Sequence, residues 1–100
     1  MNMQQMIAQA QKMQRELRKA LDAFHEEEFE LSKGGLVTVK MLGSKEIVSI
    51  DIDKDALEAD NKEMIEESIK SCINELNKTI GEKQEEIEEK ITGQKGMMGF

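Results

Sequence analysis

The stretch from Gly34 to Asp53 limits what this chain can fold into more than any other. Two runs rich in β-branched and apolar residues, Leu36–Leu42 and Ile47–Asp53, flank Gly43-Ser44, and Gly34-Gly35 opens the first. Val, Ile and Thr are stiff at χ1 and suit a pleated surface, while glycine supplies the positive φ that tight hairpins need. Alternation puts Val37, Val39 and Met41 on one face, opposite Leu36, Thr38, Lys40 and Leu42. In the next run Val48, Ile50 and Ile52 point one way, and Ile47, Ser49, Asp51 and Asp53 the other. An earlier stretch, roughly 26–32, alternates Glu26, Glu28 and Glu30 with Phe29 and Leu31. It reads as a half-buried strand whose carboxylates guard a sheet edge, against a helix running on through Glu28. The connections are too short for crossovers, so three strands form an antiparallel meander.

Helical patterns lie on both sides. Met3, Met6, Ala10, Met13, Leu17, Ala20 and Phe24 recur at spacings of three and four, a heptad seam widened by Ile7 and Leu21. Such a helix either pairs with another helix or lies on its own sheet, and its methionines suit a pliable contact. Met3, Met6, Ala10, Met13 and Leu17 are therefore the expected dimer interface. After a short turn at 54–58, Asp60 or Asn61 can cap a long helix. Its apolar stripe repeats every eleven residues as Ile65/Leu76/Ile87 and Ile69/Ile80/Ile91. Past Gly81 the stripe thins among Glu and Lys, so the second half is expected to project as an arm. The reading is α+β: helix, three-stranded antiparallel meander, long helix. One domain covers 1–92, with a flexible Gly/Met-rich tail over 93–100.

Charged residues make up 35% of the chain and there are three Phe with no Trp or Tyr. A monomer's core would be thin, which favours an obligate dimer. The single Cys excludes an intrachain disulfide framework and fits a reducing cytosol. With no signal-peptide start and no membrane-spanning apolar run, the expectation is a soluble, cytoplasmic protein.

Catalytic and metal chemistry find no footing. Asp51, Asp53 and Asp55 imitate the start of a calcium loop, but Ala56 and Lys62 stand where it needs Gly and Glu. His25-Glu26 lacks the second His of a zinc helix, and Gly34-Gly35 lacks the Lys-Ser/Thr of a phosphate loop. Cys72 lies on the apolar stripe as a packing residue. No enzyme activity, cofactor, metal or small-molecule substrate is expected.

The net charge of −7 argues against simple nucleic-acid binding, but it is uneven. Residues 1–22 carry Lys12, Arg15, Arg18 and Lys19 against Glu16 and Asp22, and hold both arginines of the chain. These four cations share the side opposite the heptad seam.

The order of elements and several words of sequence resemble the YbaB/EbfC family of bacterial nucleoid-associated proteins. The words are Met6–Gln14 (MIAQAQKMQ), Gly35–Val39 (GLVTV), Val48–Asp51 (VSID), Asp60–Glu67 (DNKEMIEE) and the Gly/Met-rich end from Thr92 to Phe100. The resemblance implies a tweezer-like homodimer with strands joined across subunits and projecting helical arms. It also implies binding of duplex DNA in the nucleoid with little sequence preference, with effects on DNA conformation and gene expression. The family brings no fixed contact motif, so Lys12, Arg15, Arg18 and Lys19 are named on charge alone. The alternative is an acidic dimeric chaperone or adaptor that holds protein segments against Met-rich helices.

Overall fold

The computed structural model describes residues 2–93. Of the expected tail, residues 94–100 lie outside the described residues. The order of elements is helix α1 (Met3–His25), strands β1 (Glu28–Lys33), β2 (Val37–Leu42) and β3 (Ile47–Ile52), two 3-10 turns (Lys54–Ala56 and Ala59–Asn61), and helix α2 (Lys62–Thr92). The antiparallel meander is as expected, with sheet order β1-β2-β3. The first strand begins two residues later than the alternation suggested, because α1 runs on to His25 before Glu26 caps it.

The glycines of the two hairpins do different work. Gly34 and Gly35 both take positive φ, 58° and 70°, and Leu36 N–H closes the turn on Lys33 O at 3.0 Å. Gly43 does not; in that loop Lys45 takes the left-handed conformation, φ 75°. Gly43 is instead buried against the end of α1. A Cβ there would lie 2.1 Å from the carbonyl oxygen of Phe24, so only glycine allows the approach. Gly43 N–H donates to Glu27 O and Ser44 N–H to His25 O, which ties the β2–β3 loop to the C-terminus of α1.

The path of α2 follows from its two anchors. Asp53 N–H bonds Leu36 O at 2.8 Å, so β3 leaves the sheet beside the Gly34-Gly35 turn. Asn61 does not cap α2 through its side chain; its Nδ2 donates to Ala56 O at 2.9 Å and pins the turn below the helix. From there α2 crosses the sheet toward the Gly43 end, with Cys72 Sγ over Leu31 O at 3.7 Å and Lys33 Nζ 3.0 Å from a Glu75 carboxylate oxygen. Val37, Val39 and Met41 meet Ile65, Cys72, Leu76 and Ile80 in the main core, which Phe24 closes.

The sheet is not held between two helices, as a simple layered reading suggests. α2 alone covers it, over β1 and β2, and α1 packs on α2. α1 reaches the sheet at its last turn, where the Phe24 and Phe29 rings lie 5.6 Å apart. Nor does the second half of α2 project bare. Ile80 is fully buried, Ile87 packs against the core, and Glu88 is only 3% exposed. This half runs antiparallel beside α1, whose Leu17 and Leu21 are also buried. The projecting arm is thus a pair of helices, and it stretches the molecule to 69 × 18 × 16 Å.

Two consequences bear on function. β3 lies outside the cover of α2, so Ile47, Val48 and Ile50 are 43–47% exposed on an edge strand with a bulge opposite Lys40/Met41. And α1 is longer than the part of α2 beside it, so residues 2–12 are exposed throughout.

Candidate nucleic-acid interface

Lys12, Arg15, Arg18 and Lys19 are all exposed and all lie on α1. The reason is helical spacing. Leu17, Leu21 and Phe24 turn inward to α2, and residues three to four apart on the opposite side turn outward. At 1.5 Å per residue, the seven steps from Lys12 to Lys19 span about 10 Å. Arg15 and Arg18, with Gln11 and Gln14, line a shallow groove on this side. None of the four cations forms an ion pair with a described residue; the three pairs found, Lys33–Glu75, Lys62–Glu66 and Lys70–Glu67, lie elsewhere. Asp22 and Glu16 flank the cations, leaving the outer side of α1 with a net positive balance.

The arm separates its charges. Beyond Gly81, α2 buries Glu88, packs Ile87 against the core and exposes Glu82, Glu85, Glu86 and Glu89. Two helices that bury their facing stripes point their outer sides in opposite directions. One side of the arm is therefore basic and the other acidic. Glu88 differs from these glutamates in being buried, because it lies on the stripe at i+8 from Ile80.

The expected dimer seam is divided. Met3, Met6 and Ala10 are exposed and Met13 is half-buried, but Leu17 packs within the chain, covered by α2. Sequence reasoning missed the cap that starts this seam. Asn2 Oδ1 accepts from Gln5 N–H at 2.8 Å, and Gln5 Oε1 accepts from Asn2 N–H at 3.2 Å. The signal was the Asn-x-x-Gln spacing. It also missed the uncovered face of β3, which no local pattern announces.

Among the described residues, no group of three His, Cys, Asp or Glu could hold a metal ion. No described helix is long and apolar enough to cross a membrane. Cys72 is fully buried, and burial pushes its thiol pKa up, with Glu75 adding to the rise and Lys33 opposing it.

The fold is thus a projecting helix pair with a basic outer side, carried by a small antiparallel sheet. The chain belongs to the YbaB/EbfC DNA-binding family, which it matches over residues 1–96. It is 40% identical to a nucleoid-associated protein of Clostridium novyi, over 100% of this chain and 89% of that protein. It is 38% identical to a nucleoid-associated protein of Malacoplasma penetrans, over 87% of this chain and 93% of the relative. Its fold is similar to the crystal structure of the uncharacterized protein HP0035 from Helicobacter pylori. The TM-score is 0.74 at 24% identity, over 87% of this chain and 92% of the other.

Proposed function

We propose that this protein is a cytoplasmic, nucleoid-associated homodimer that binds duplex DNA through phosphate contacts, alters its conformation and thereby affects gene expression. The observation that carries this reading is the basic side of α1, Lys12, Arg15, Arg18 and Lys19, which form no ion pair with a described residue and lie away from the exposed glutamates of α2. Local cations attract DNA even on an acidic protein, while the overall charge lowers affinity and on-rate. Contacts to phosphate position a protein without reading sequence, so little sequence preference follows. The chain has no Trp or Tyr, Phe24 is buried and Phe29 packs against it, so among the described residues no aromatic platform stands free to stack on single strands. The role is binding, with no catalytic step.

The homodimer reading rests on β3. An edge strand offers unpaired backbone N–H and C=O groups, and this one adds Ile47, Val48 and Ile50 with no α2 above them. Pairing β3 with its copy covers all three and leaves two arms projecting from a continuous sheet.

The test is a salt titration of binding to duplexes of unrelated sequence. Arg15→Gln with Arg18→Gln should weaken binding to all of them alike. It should also reduce the slope of log K against log salt by up to about 1.8 per arm. If the double variant binds as the parent does across the series, the basic side is only solvated surface. The adaptor reading then gains from the exposed Met3 and Met6.

A further inference from the structure

The free end of α1 is an apolar stripe that no described residue covers. α1 extends about 34 Å, while the twelve residues of α2 beyond Ile80 run beside it for only about 18 Å. The remaining 16 Å or so is an overhang, and its exposure shows it. Met3, Met6 and Ile7 are 75%, 57% and 52% exposed, and Met13 is the first residue of α1 that is even half-buried. The stripe is the same seam that α2 covers further along at Leu17, Leu21 and Phe24, so its shape already fits a helix.

Its charge says which helix. Residues 1–11 contain no Lys, Arg, Asp or Glu, the longest such run in a chain that is 35% charged. Around the stripe stand Gln4, Gln5, Gln9 and Gln11. DNA would want cations here, and a charged protein partner would want complementary charges. A second copy of the same overhang wants neither. Two copies with a net charge of −7 each repel over most of their surface, but this end lets them meet without like charges in contact. Antiparallel pairing about a two-fold axis places each stripe on the other and each tip near the end of the partner arm's α2.

We infer that the overhang Met3–Ala10 is a second self-association surface, which joins homodimers arm to arm. The inference rests on the β3 homodimer proposed above. Two ten-residue helix faces bury well under the roughly 1,200 Å² of a stable interface. The contact is therefore weak and engages at high local concentration, as when dimers lie along one DNA or on two neighbouring ones. Because each dimer carries two arms, such contacts can bridge duplexes.

Sedimentation of the full chain from micromolar to millimolar concentration tests this. The wild type should pass reversibly from two chains to larger species. Met6→Glu with Ile7→Glu should stop at two chains with unchanged helicity, and the milder Met6→Gln should fall between. A third variant, Ile50→Glu, separates the two readings. It should abolish the micromolar dimer yet keep a weak, concentration-dependent pairing through the overhang. Larger species absent from the wild type up to millimolar would overturn the assignment. So would their appearance only after removal of residues 94–100, which would make that segment the cover. Conversion of the micromolar dimer to monomer by Met6→Glu with Ile7→Glu would make the stripe the primary interface and refute both readings. Loss of DNA binding by that variant with self-association intact would give the stripe to DNA.

Discussion

At the scale of single residues, position in the core sets chemistry. Cys72 lies between Ile69 and Leu76 on α2, sealed over Leu31, and its thiol is held in the neutral form. Labelling of native protein by a thiol reagent should be far slower than labelling of the unfolded chain, because reaction needs an exposed thiolate. The same burial gives stability an alkaline limb. The unfolded chain releases the thiol proton near its ordinary value of 9.0, while the folded chain retains it. The folded state then binds more protons, so stability falls as pH rises past about 9. Denaturant unfolding of the wild type and Cys72→Ala at pH 8 and pH 10 checks this. The difference in stability between them should shrink in the wild type's disfavour at the higher pH. Gly43 shows a different constraint: its lack of a side chain is used for contact with Phe24, whereas φ > 0 in that loop falls to Lys45.

At the scale of elements, the arm matters more than either helix. Axes of packed helices lie 8–10 Å apart, and outward side chains add several ångströms on each side. The acidic side of α2 is thus about 20 Å from a phosphate held on α1, against a Debye length of about 8 Å at physiological salt. Changing Glu85 and Glu86 to Gln should therefore alter DNA affinity less than about twofold at that salt, with a larger effect only in dilute buffer. Placing the basic and acidic faces at random around the arm would predict clear tightening under both conditions. Binding isotherms at two ionic strengths tell these apart. Glu88 belongs in neither set, since it is buried.

At the scale of the whole molecule, the described residues of an elongated chain leave two apolar surfaces exposed, at β3 and at the free end of α1. With β3 as the dimer surface, sedimentation at micromolar concentration should give twice the chain mass of 11.4 kDa. Ile50→Glu should move that population toward monomer, because it places a charge among residues the dimer desolvates. A compact, cooperatively folded monomer of the wild type at that concentration would exclude the dimer. Much of the architecture is written in local spacing. Alternation over 37–42 and 47–52, paired glycines at 34 and 35, and the eleven-residue stripe from Ile65 to Ile91 set strands, turn and helix directly, since each depends on neighbours a few residues apart. The four cations of α1 were legible for the same reason, as the side left over by a heptad seam. What covers what was not. That α2 shelters β1 and β2 but leaves β3 bare, that α1 rests on α2, and that Leu17 is covered while Met6 is not, depend on the relative lengths and anchor points of elements distant in sequence. A spacing pattern records which residues face the same way; only packing in three dimensions decides which of those faces finds a partner within the chain.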